Sequence, residues 1–281
     1  MQVGILTSRM RDRSFEEVAK FAGKNGIKIM EVAAMKGGHL NVHDVVKDKG
    51  EAVKKILAAN KTGISALACF CDVTAADAKA RDENIDIVVT GIDAAKALGV
   101  GVVTALSGMA RKDQIRSDTI KKEVPGAFKT IAAHAEKQGI KIALEPWWGT
   151  TLRNLDEWKL FFDLVPSKAV GLNFDPSHLY WQEIDIFAAI DEFGGRIYHT
   201  HAKDCEVKRH VVRRVGNQAE RREAGWWRYT IPGFGGIRWG EYISALRGVG
   251  FDGALSIEHE DAKFDAEEGF LAGKKYLEQF V

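Results

Sequence analysis

The chain has 281 residues, of which 46% are hydrophobic and 28% are charged. Its length suits one (β/α)8 barrel of about 250 residues as well as two smaller domains. Its 40 basic and 39 acidic residues give a net charge of +1, without the basic excess of a dedicated nucleic-acid-binding protein. We therefore expect no nucleic-acid partner.

The first residues and the cysteines indicate where the protein works. Residues 1–6 are strand-like and lack the features of a signal peptide, and no run of about 18 apolar residues could cross a membrane. The three cysteines, Cys69, Cys71 and Cys205, form no CxxC pair of the kind that binds metals. We expect a cytoplasmic protein with reduced thiols in its core and no membrane partner.

Strand-like and helix-like segments alternate along the chain, which is typical of a parallel sheet covered by helices. The predicted strands cover residues 2–8, 27–33, 64–70 and 100–106, and four more begin at residues 140, 169, 196 and 253. The predicted helices cover residues 15–23, 45–60, 75–98, 114–138, 155–165 and 266–280. One more helix, between the last two of these, is predicted to end near residue 193. Eight such units predict an α/β fold, a single (β/α)8 TIM barrel over residues 1–281.

A doubly wound dinucleotide-binding fold is the main alternative among parallel α/β architectures. That fold requires a glycine-rich turn after its first strand, but Gly4 is followed by no second glycine. The stretch from Gly99 to Gly101 resembles part of that motif, yet it lies inside a predicted strand. We therefore expect no nucleotide cofactor.

Four successive strands end in a carboxylate or an imidazole. These residues are Glu145, Asp175, His201 and Glu258. Because the carboxyl ends of barrel strands meet at one face, we expect the four side chains to converge. Three carboxylates and one imidazole suit one divalent cation such as Mn²⁺, Mg²⁺ or Co²⁺. Taken singly, each residue also has a structural explanation, such as an ion pair with a lysine or an Asp-Pro turn.

A metal ion at this place suggests a reaction. It can polarise a carbonyl or hydroxyl oxygen and stabilise the enolate that forms when the adjacent carbon loses a proton. Glu145 and Glu258 lie on non-adjacent strands, so one could remove the proton while the other returns one.

Alternate residues of a barrel strand point inward, so the residue two before each ligand should line the layer beneath it. Three of these four residues are polar, namely Asn173, His199 and Ser256. We predict that they orient the metal ligands. For His199, a hydrogen-bonded core position is a more common role than metal binding.

Five segments form an ordered set of motifs: Leu-Glu-Pro at 144–146, Phe-Asp-Pro-Ser-His at 174–178, His-Thr-His-Ala-Lys-Asp at 199–204, Gly-Phe-Gly-Gly-Ile-Arg-Trp at 233–239 and Ile-Glu-His-Glu-Asp at 257–261. In these motifs the chain resembles the xylose-isomerase-like TIM-barrel superfamily, and within it the sugar phosphate isomerase/epimerase family, over essentially its whole length. The resemblance implies that the four residues bind one divalent metal ion, often manganese, with the two glutamates as the acid/base pair. It also implies that His178 binds a substrate oxygen, as in ketose 3-epimerases.

Residues 205–235 form a predicted insertion loop after strand seven, where the chain departs from the ketose 3-epimerases. An arginine that contacts sugar in those enzymes is matched here by Val207. The insertion has seven basic residues against three acidic ones, a local charge of +4: Lys208, Arg209, Arg213, Arg214, Arg221, Arg222 and Arg228 against Glu206, Glu220 and Glu223. It also carries a run of aromatic residues at 226–229.

Long loops at this face of a barrel are usually functional. We expect the insertion to select an anionic or enlarged substrate, such as a phosphorylated sugar, a sugar acid or a keto-glycoside, with Arg213 and Arg214 as binding residues. The alternative is a solvated loop that orders an oligomer contact, so a homo-oligomer is an open possibility.

Three further residues are candidates for the site. Trp147 follows Glu145 closely, so we expect it at the rim, either stacked on a sugar or capping the barrel. Lys203 should point inward like His201, to bind substrate or to orient a carboxylate. Glu31 is predicted to end strand two, where it would contact substrate or pair with a lysine.

These observations favour a metal-dependent isomerase or epimerase acting on a small carbohydrate. The same residues could run a lyase or dehydratase reaction on a keto-sugar or keto-inositol, if a β-hydroxyl leaves after enolate formation. A phosphodiesterase like endonuclease IV is less consistent, because it needs further histidines from earlier strands. Residues 70–72 and 107–108, at the ends of strands three and four, include none.

Overall fold

The computed structural model describes residues 1–215 and 225–281. Eight parallel strands form a closed barrel in which the first strand pairs with the last, so the predicted TIM barrel is confirmed. The barrel strands are β1 (Gln2–Leu6), β2 (Ile29–Ala33), β3 (Gly63–Cys69), β4 (Val102–Leu106), β5 (Lys141–Glu145), β6 (Val170–Phe174), β7 (Ile197–Ala202) and β10 (Ala254–Ile257).

Helices surround the barrel in the alternating order that the sequence predicts. They are α1 (Phe15–Lys24), α2 (Val42–Lys47), α3 (Glu51–Asn60), α4 (Ala78–Leu98), α5 (Arg116–Lys122), α6 (Val124–Gln138), α7 (Leu155–Leu164), α8 (Pro176–Tyr180), α9 (Ile186–Phe193), α10 (Arg209–Val215), α11 (Trp239–Gly248) and α12 (Ala266–Leu277). Short 3₁₀ turns follow β1 and precede β7. None of the described helices has the length and apolar character needed to cross a bilayer.

Two predicted helical stretches are each divided in two, so the prediction of continuous helices was wrong there. The stretch at 45–60 is broken by Lys49 and Gly50, which have φ of 56° and 73°, values incompatible with a right-handed helix. The stretch at 114–138 is broken before α6, whose first turn contains Pro125, a residue without a backbone N–H donor. The helix that was predicted to end near residue 193 is α9, which ends at Phe193 and is preceded by the short helix α8.

The buried residues form two regions of different character. Between barrel and helices lies an apolar shell, in which the rings of Phe128 and Phe161 pack edge to face at 5.1 Å between centroids. Each fully buried side chain of this kind contributes about 1.5–3 kcal/mol to the free energy of unfolding. Inside the barrel, polar residues such as Glu31 and Thr104 are fully buried. All three cysteines are buried and unpaired.

The segment predicted as an insertion loop contains regular structure. Strands β8 (Asp204–Val207) and β9 (Trp227–Thr230) form an antiparallel hairpin, and α10 lies between them. The predicted charged residues Glu220, Arg221, Arg222 and Glu223 lie outside the described residues.

The base of the hairpin is held by one buried carboxylate. Asp204 accepts hydrogen bonds from the backbone N–H groups of Cys205, Gly233 and Ile237, and from the indole N–H of Trp239. These four donors join the two ends of the insertion to the start of α11. The position of the hairpin is therefore fixed by the barrel that carries it.

Candidate metal centre

Four side chains converge at the carboxyl-terminal face of the barrel. Glu145 is the last residue of β5, Asp175 directly follows β6, His201 lies in β7 and Glu258 directly follows β10. One potential ligand atom from each residue lies within 4.8 Å of the others, and all four residues are buried. The convergence that the strand pattern predicted is therefore present.

The imidazole of His201 lies among the three carboxylates. Its Nδ1 atom is 3.0 Å from Glu258 Oε2, 3.6 Å from Glu145 Oε1 and 3.8 Å from Asp175 Oδ2. Three buried carboxylates grouped around one atom repel each other, and a nearby cation offsets that repulsion. The site is therefore built to attract positive charge.

The two glutamates differ in the direction of their pKa shifts. Burial raises the pKa of Glu258, and the neighbouring Glu145 carboxylate adds to that rise, although Lys203 opposes it. Burial also acts to raise the pKa of Glu145, but the hydrogen bond from His178, together with the electrostatic attraction of His201 and Lys203, outweighs it and holds the pKa well below its usual range. The two carboxylates thus occupy chemically different environments.

Two buried polar atoms of this group lack hydrogen-bond partners among the described residues. They are Nδ1 of His201 and Oδ2 of Asp175. Buried polar atoms are partnered in the great majority of cases, and an ion bound between such atoms is one explanation of an exception. Three carboxylates and one imidazole are also donors that a divalent cation accepts. The residues present therefore fit a divalent metal ion.

Lys203 points into the same group, as its spacing from His201 predicts. Its Nζ atom lies 2.6 Å from Glu258 Oε2, 3.1 Å from Glu260 Oε2 and 3.2 Å from Asp175 Oδ2. Burial disfavours the ammonium, but these carboxylates outweigh it and hold the pKa of Lys203 well above its usual range. A protonated amine cannot form a Schiff base. The ion pairs show that Lys203 neutralises the carboxylates around it. Substrate binding by Lys203 stays a prediction.

Glu31 supports His201 from below, which the sequence analysis missed. The sequence analysis placed Glu31 at the end of strand two, with substrate or a lysine as its partner. In the structure it lies inside β2, and its partners are His201 and Thr104. Glu31 Oε2 is 3.0 Å from His201 Nε2. Because a carboxylate only accepts hydrogen bonds, Nε2 carries a proton and Nδ1 is the nitrogen available to a metal ion.

The environment of Glu31 keeps it ionised. Burial acts to raise its pKa, but the imidazoles of His201 and His199 and the Thr104 hydroxyl lower the pKa to about 2. The one sequence signal for this role was a lone charged residue within the five-residue strand β2, whose other members are apolar.

Asn173 and His199 form the next layer of polar contacts. Asn173 Oδ1 accepts a hydrogen bond from His199 Nδ1 at 3.0 Å, and the amide nitrogen of Asn173 lies 2.9 Å from His201 Nε2. A shift in the pairing of β6 with β7 places these two residues opposite each other. His199 also contacts Ser65, at 3.1 Å, and burial lowers its pKa to about 4, so it is neutral.

Ser256 does not make the contact that was predicted for it. It is fully buried in β10, but its hydroxyl forms no hydrogen bond with any of the described residues. The two-residue period of the strand correctly predicts that Ser256 faces the inside of the barrel. It does not predict whether a hydrogen-bond partner lies opposite.

The predicted substrate-binding residues lie in two different environments. His178 is buried, with Nε2 at 3.1 Å from Glu145 Oε1 and Nδ1 at 2.7 Å from the Tyr229 hydroxyl. Trp147 is half-buried and packs on Trp148 at 5.5 Å between ring centroids.

Arg213 and Arg214 are exposed on α10. No described hydrogen bond or ion pair joins either arginine to the four converging residues. It stays a prediction that the substrate contacts Trp147, His178, Arg213 and Arg214.

Comparison with known proteins identifies the family. Residues 15–280 match the family model of the xylose isomerase-like TIM barrel, and the chain belongs to this family. It is 26% identical to the YfiH protein of Bacillus subtilis over 100% of this chain and 99% of that protein. It is also 26% identical to an inosose dehydratase of Clostridium perfringens, over 56% of this chain and 54% of that enzyme.

A solved structure shares the fold over the whole chain. The IolI protein, whose crystal structure contains a bound zinc atom, superposes with a TM-score of 0.76 at 18% identity, covering 100% of this chain and 99% of that one. At this identity the likeness concerns the fold alone.

Replacing Glu31 with glutamine tests the support of His201. We expect Glu31→Gln to weaken Mn²⁺ binding about 10–100-fold, because a neutral amide oxygen accepts the hydrogen bond from His201 Nε2 more weakly than a carboxylate does. Calorimetric titration of metal-free protein measures the affinity. Glu83→Gln, the same change at an exposed position of α4, serves as the control with unchanged affinity. Equal affinities in the two variants would show that Glu31 does not support the metal ligand.

Proposed function

We propose that this protein is a divalent-metal-dependent isomerase or epimerase that transfers a proton beside a carbonyl group of a sugar or sugar derivative. The observation that carries the proposal is the presence of two glutamates, Glu145 and Glu258, in one buried group with Asp175 and His201. Two carboxylates on strands that are not adjacent can approach a bound substrate from different sides. Strands β6 and β7 lie between the strands that carry the two glutamates.

In this proposal the four residues hold one metal ion. The oxygen-rich donor set favours Mn²⁺, with Mg²⁺ or Co²⁺ as alternatives, and the zinc atom bound to the IolI protein supports a divalent ion in general. When bound, the ion supplies positive charge that polarises a substrate oxygen and makes the neighbouring C–H group more acidic.

The protein's own residues then move the proton. Glu145 is fixed by His178, and Glu258 is fixed by Lys203, so each carboxylate has a defined position on its own strand. One carboxylate removes the proton from the carbon beside the carbonyl, and the other returns a proton. Return to the opposite face of the same carbon gives an epimer, whereas return to the neighbouring carbon gives an isomer.

A dehydratase acting on a keto-sugar or keto-inositol is the second candidate. Two observations favour it: the likeness to an inosose dehydratase, and the position of His178 between Glu145 and Tyr229. Removal of the same proton, followed by departure of the hydroxyl group on the next carbon, would eliminate water. In this reaction His178, in its doubly protonated form, would donate the proton to that leaving group.

A phosphodiesterase like endonuclease IV has less support. Such an enzyme requires a larger metal cluster with further histidines. Within residues 1–215 and 225–281 there is one group of potential metal ligands, and it contains one histidine.

Deuterium exchange from solvent tests the proposed proton transfer. We expect the Mn²⁺-loaded protein, incubated in D₂O with a panel of keto-sugars and keto-inositols, to introduce deuterium beside the carbonyl of its substrate, detected by NMR. In Glu145→Gln and Glu258→Gln the exchange rate should fall at least about 100-fold, because each variant lacks an acid/base group. Metal analysis confirms that each variant still contains the ion.

The control for this experiment is Glu192→Gln, the same change at an exposed position of α9, which should exchange at the wild-type rate. Full exchange in both active-site variants would refute the acid/base roles. An unsaturated or diketo product would identify the dehydratase, and an epimer or isomer would identify the first candidate.

The proposed role of Arg213 and Arg214 is selection of an anionic substrate. In the double variant Arg213→Ala/Arg214→Ala we expect KM for a sugar phosphate or sugar acid to rise about tenfold, since two exposed ionic contacts contribute roughly 1–2 kcal/mol together. KM for an uncharged keto-sugar should stay constant, which provides the control in the same steady-state assay. An unchanged KM for the anionic substrate would exclude this role.

A further inference from the structure

The β8–β9 hairpin presents two different faces. Along β9, Trp227 and Tyr229 point to one side and Arg228 to the other, as the two-residue period of a strand requires. Trp227 stacks on Trp181 with 4.5 Å between ring centroids and an interplanar angle of 5°. The aromatic face of the hairpin therefore lies against the barrel, next to the residues that follow β6.

Ion pairs hold the opposite face. Arg228 Nε lies 2.6 Å from Glu206 of the neighbouring strand, and Nη1 lies 2.8 Å from Asp261, in the loop after β10. Asp261 is fully buried, and Arg228 is partly buried. These contacts, together with those of Asp204, hold the hairpin in one orientation over the site.

Tyr229 brings this hairpin into contact with the candidate metal centre. Its hydroxyl lies 2.7 Å from His178 Nδ1, and its ring centroid lies 4.5 Å from the Lys203 ammonium. His178 contacts Glu145, and Lys203 contacts Glu258. One residue of the insertion thus touches the partners of both glutamates.

The direction of the hydrogen bonds follows from the chemistry of the groups. His178 Nε2 lies 3.1 Å from the Glu145 carboxylate, which only accepts, and 3.4 Å from the Lys203 ammonium, which only donates; the shorter contact assigns the proton to Nε2. When the ring carries this one proton, Nδ1 accepts, and the Tyr229 hydroxyl at 2.7 Å is its donor. Burial raises the pKa of Tyr229, so this hydroxyl stays protonated.

We infer that Tyr229 is a positioning residue that holds His178 in one ring orientation and in the Nε2–H tautomer, aimed at Glu145. Without the hydroxyl, Nδ1 loses its donor and the ring can rotate about a broad χ2 torsion. The catalytic consequence rests on the proposed function, whereas the state of the imidazole does not. On this view the insertion completes the site, in addition to any part it has in selecting substrates.

Tyr229→Phe tests the inference, because it removes the hydroxyl and keeps the ring over Lys203. Tyr198→Phe is the matched control: the Tyr198 hydroxyl donates to the Lys168 carbonyl, at 2.7 Å, and Tyr198 contacts none of the four converging residues. Both variants lose one hydrogen bond, which contributes about 0.5–1.5 kcal/mol. A purely structural role would therefore affect the two variants alike.

NMR of protein labelled with ¹⁵N in the histidine rings measures the tautomer directly. Spectra are recorded without metal and with diamagnetic Zn²⁺, and the His178 signals are assigned by their loss in His178→Asn. In the wild type and in Tyr198→Phe we expect a protonated Nε2 and an unprotonated Nδ1. In Tyr229→Phe the two nitrogen signals should move towards each other, as a mixture of tautomers requires.

Kinetics provide the second readout. In Tyr229→Phe the kcat for deuterium exchange should fall about 10–100-fold with KM nearly constant, because misplacement of an active-site group affects the chemical step more than binding. Wild-type His178 signals in Tyr229→Phe would overturn the inference. If the His178 signals change but the wild type exchanges no substrate proton, the proposed function fails and the positioning role stands.

Discussion

Electrostatic repulsion among three buried carboxylates is the constraint on which the site depends. At an effective dielectric constant of about 20, two unit charges 4 Å apart repel by roughly 4 kcal/mol. Oxygen atoms of Glu145, Asp175 and Glu258 lie within 4.8 Å of one another because the barrel brings their strand ends together. The fold can bury them only with positive charge nearby, which Lys203 supplies in part and a divalent ion supplies in the proposed holoenzyme.

The surrounding polar residues orient the side chains that converge at the site. Glu31 determines which nitrogen of His201 is available for metal, and Asn173 connects that imidazole to His199 deeper in the barrel. On the solvent side, the hairpin places Tyr229 on His178. The apolar shell between strands and helices keeps these groups rigid, so that a small number of hydrogen bonds can define the geometry.

The sequence predicts the barrel and the convergence of the four residues because both depend on local patterns. Short aliphatic runs reveal the strands, and parallel closure then places their carboxyl ends at one face. Gly50 and Pro125 are residue types that interrupt helices. The helical periodicity on both sides of them nevertheless favoured continuous helices.

Contacts across the barrel could not be predicted in the same way. The pairing of Glu31 with His201 joins residues 170 positions apart, and it depends on barrel closure and strand register. Ser256 shows the converse, since its position in the correct layer did not provide a hydrogen-bond partner. Tyr229 meets His178 only because the insertion forms a hairpin with a fixed register.

Anomalous X-ray scattering from crystals grown with Mn²⁺ tests the central claim most directly. The account predicts one ion bound by oxygens of Glu145, Asp175 and Glu258 and by Nδ1 of His201. An ion bound elsewhere, or no ion at this group at saturating Mn²⁺, would contradict it.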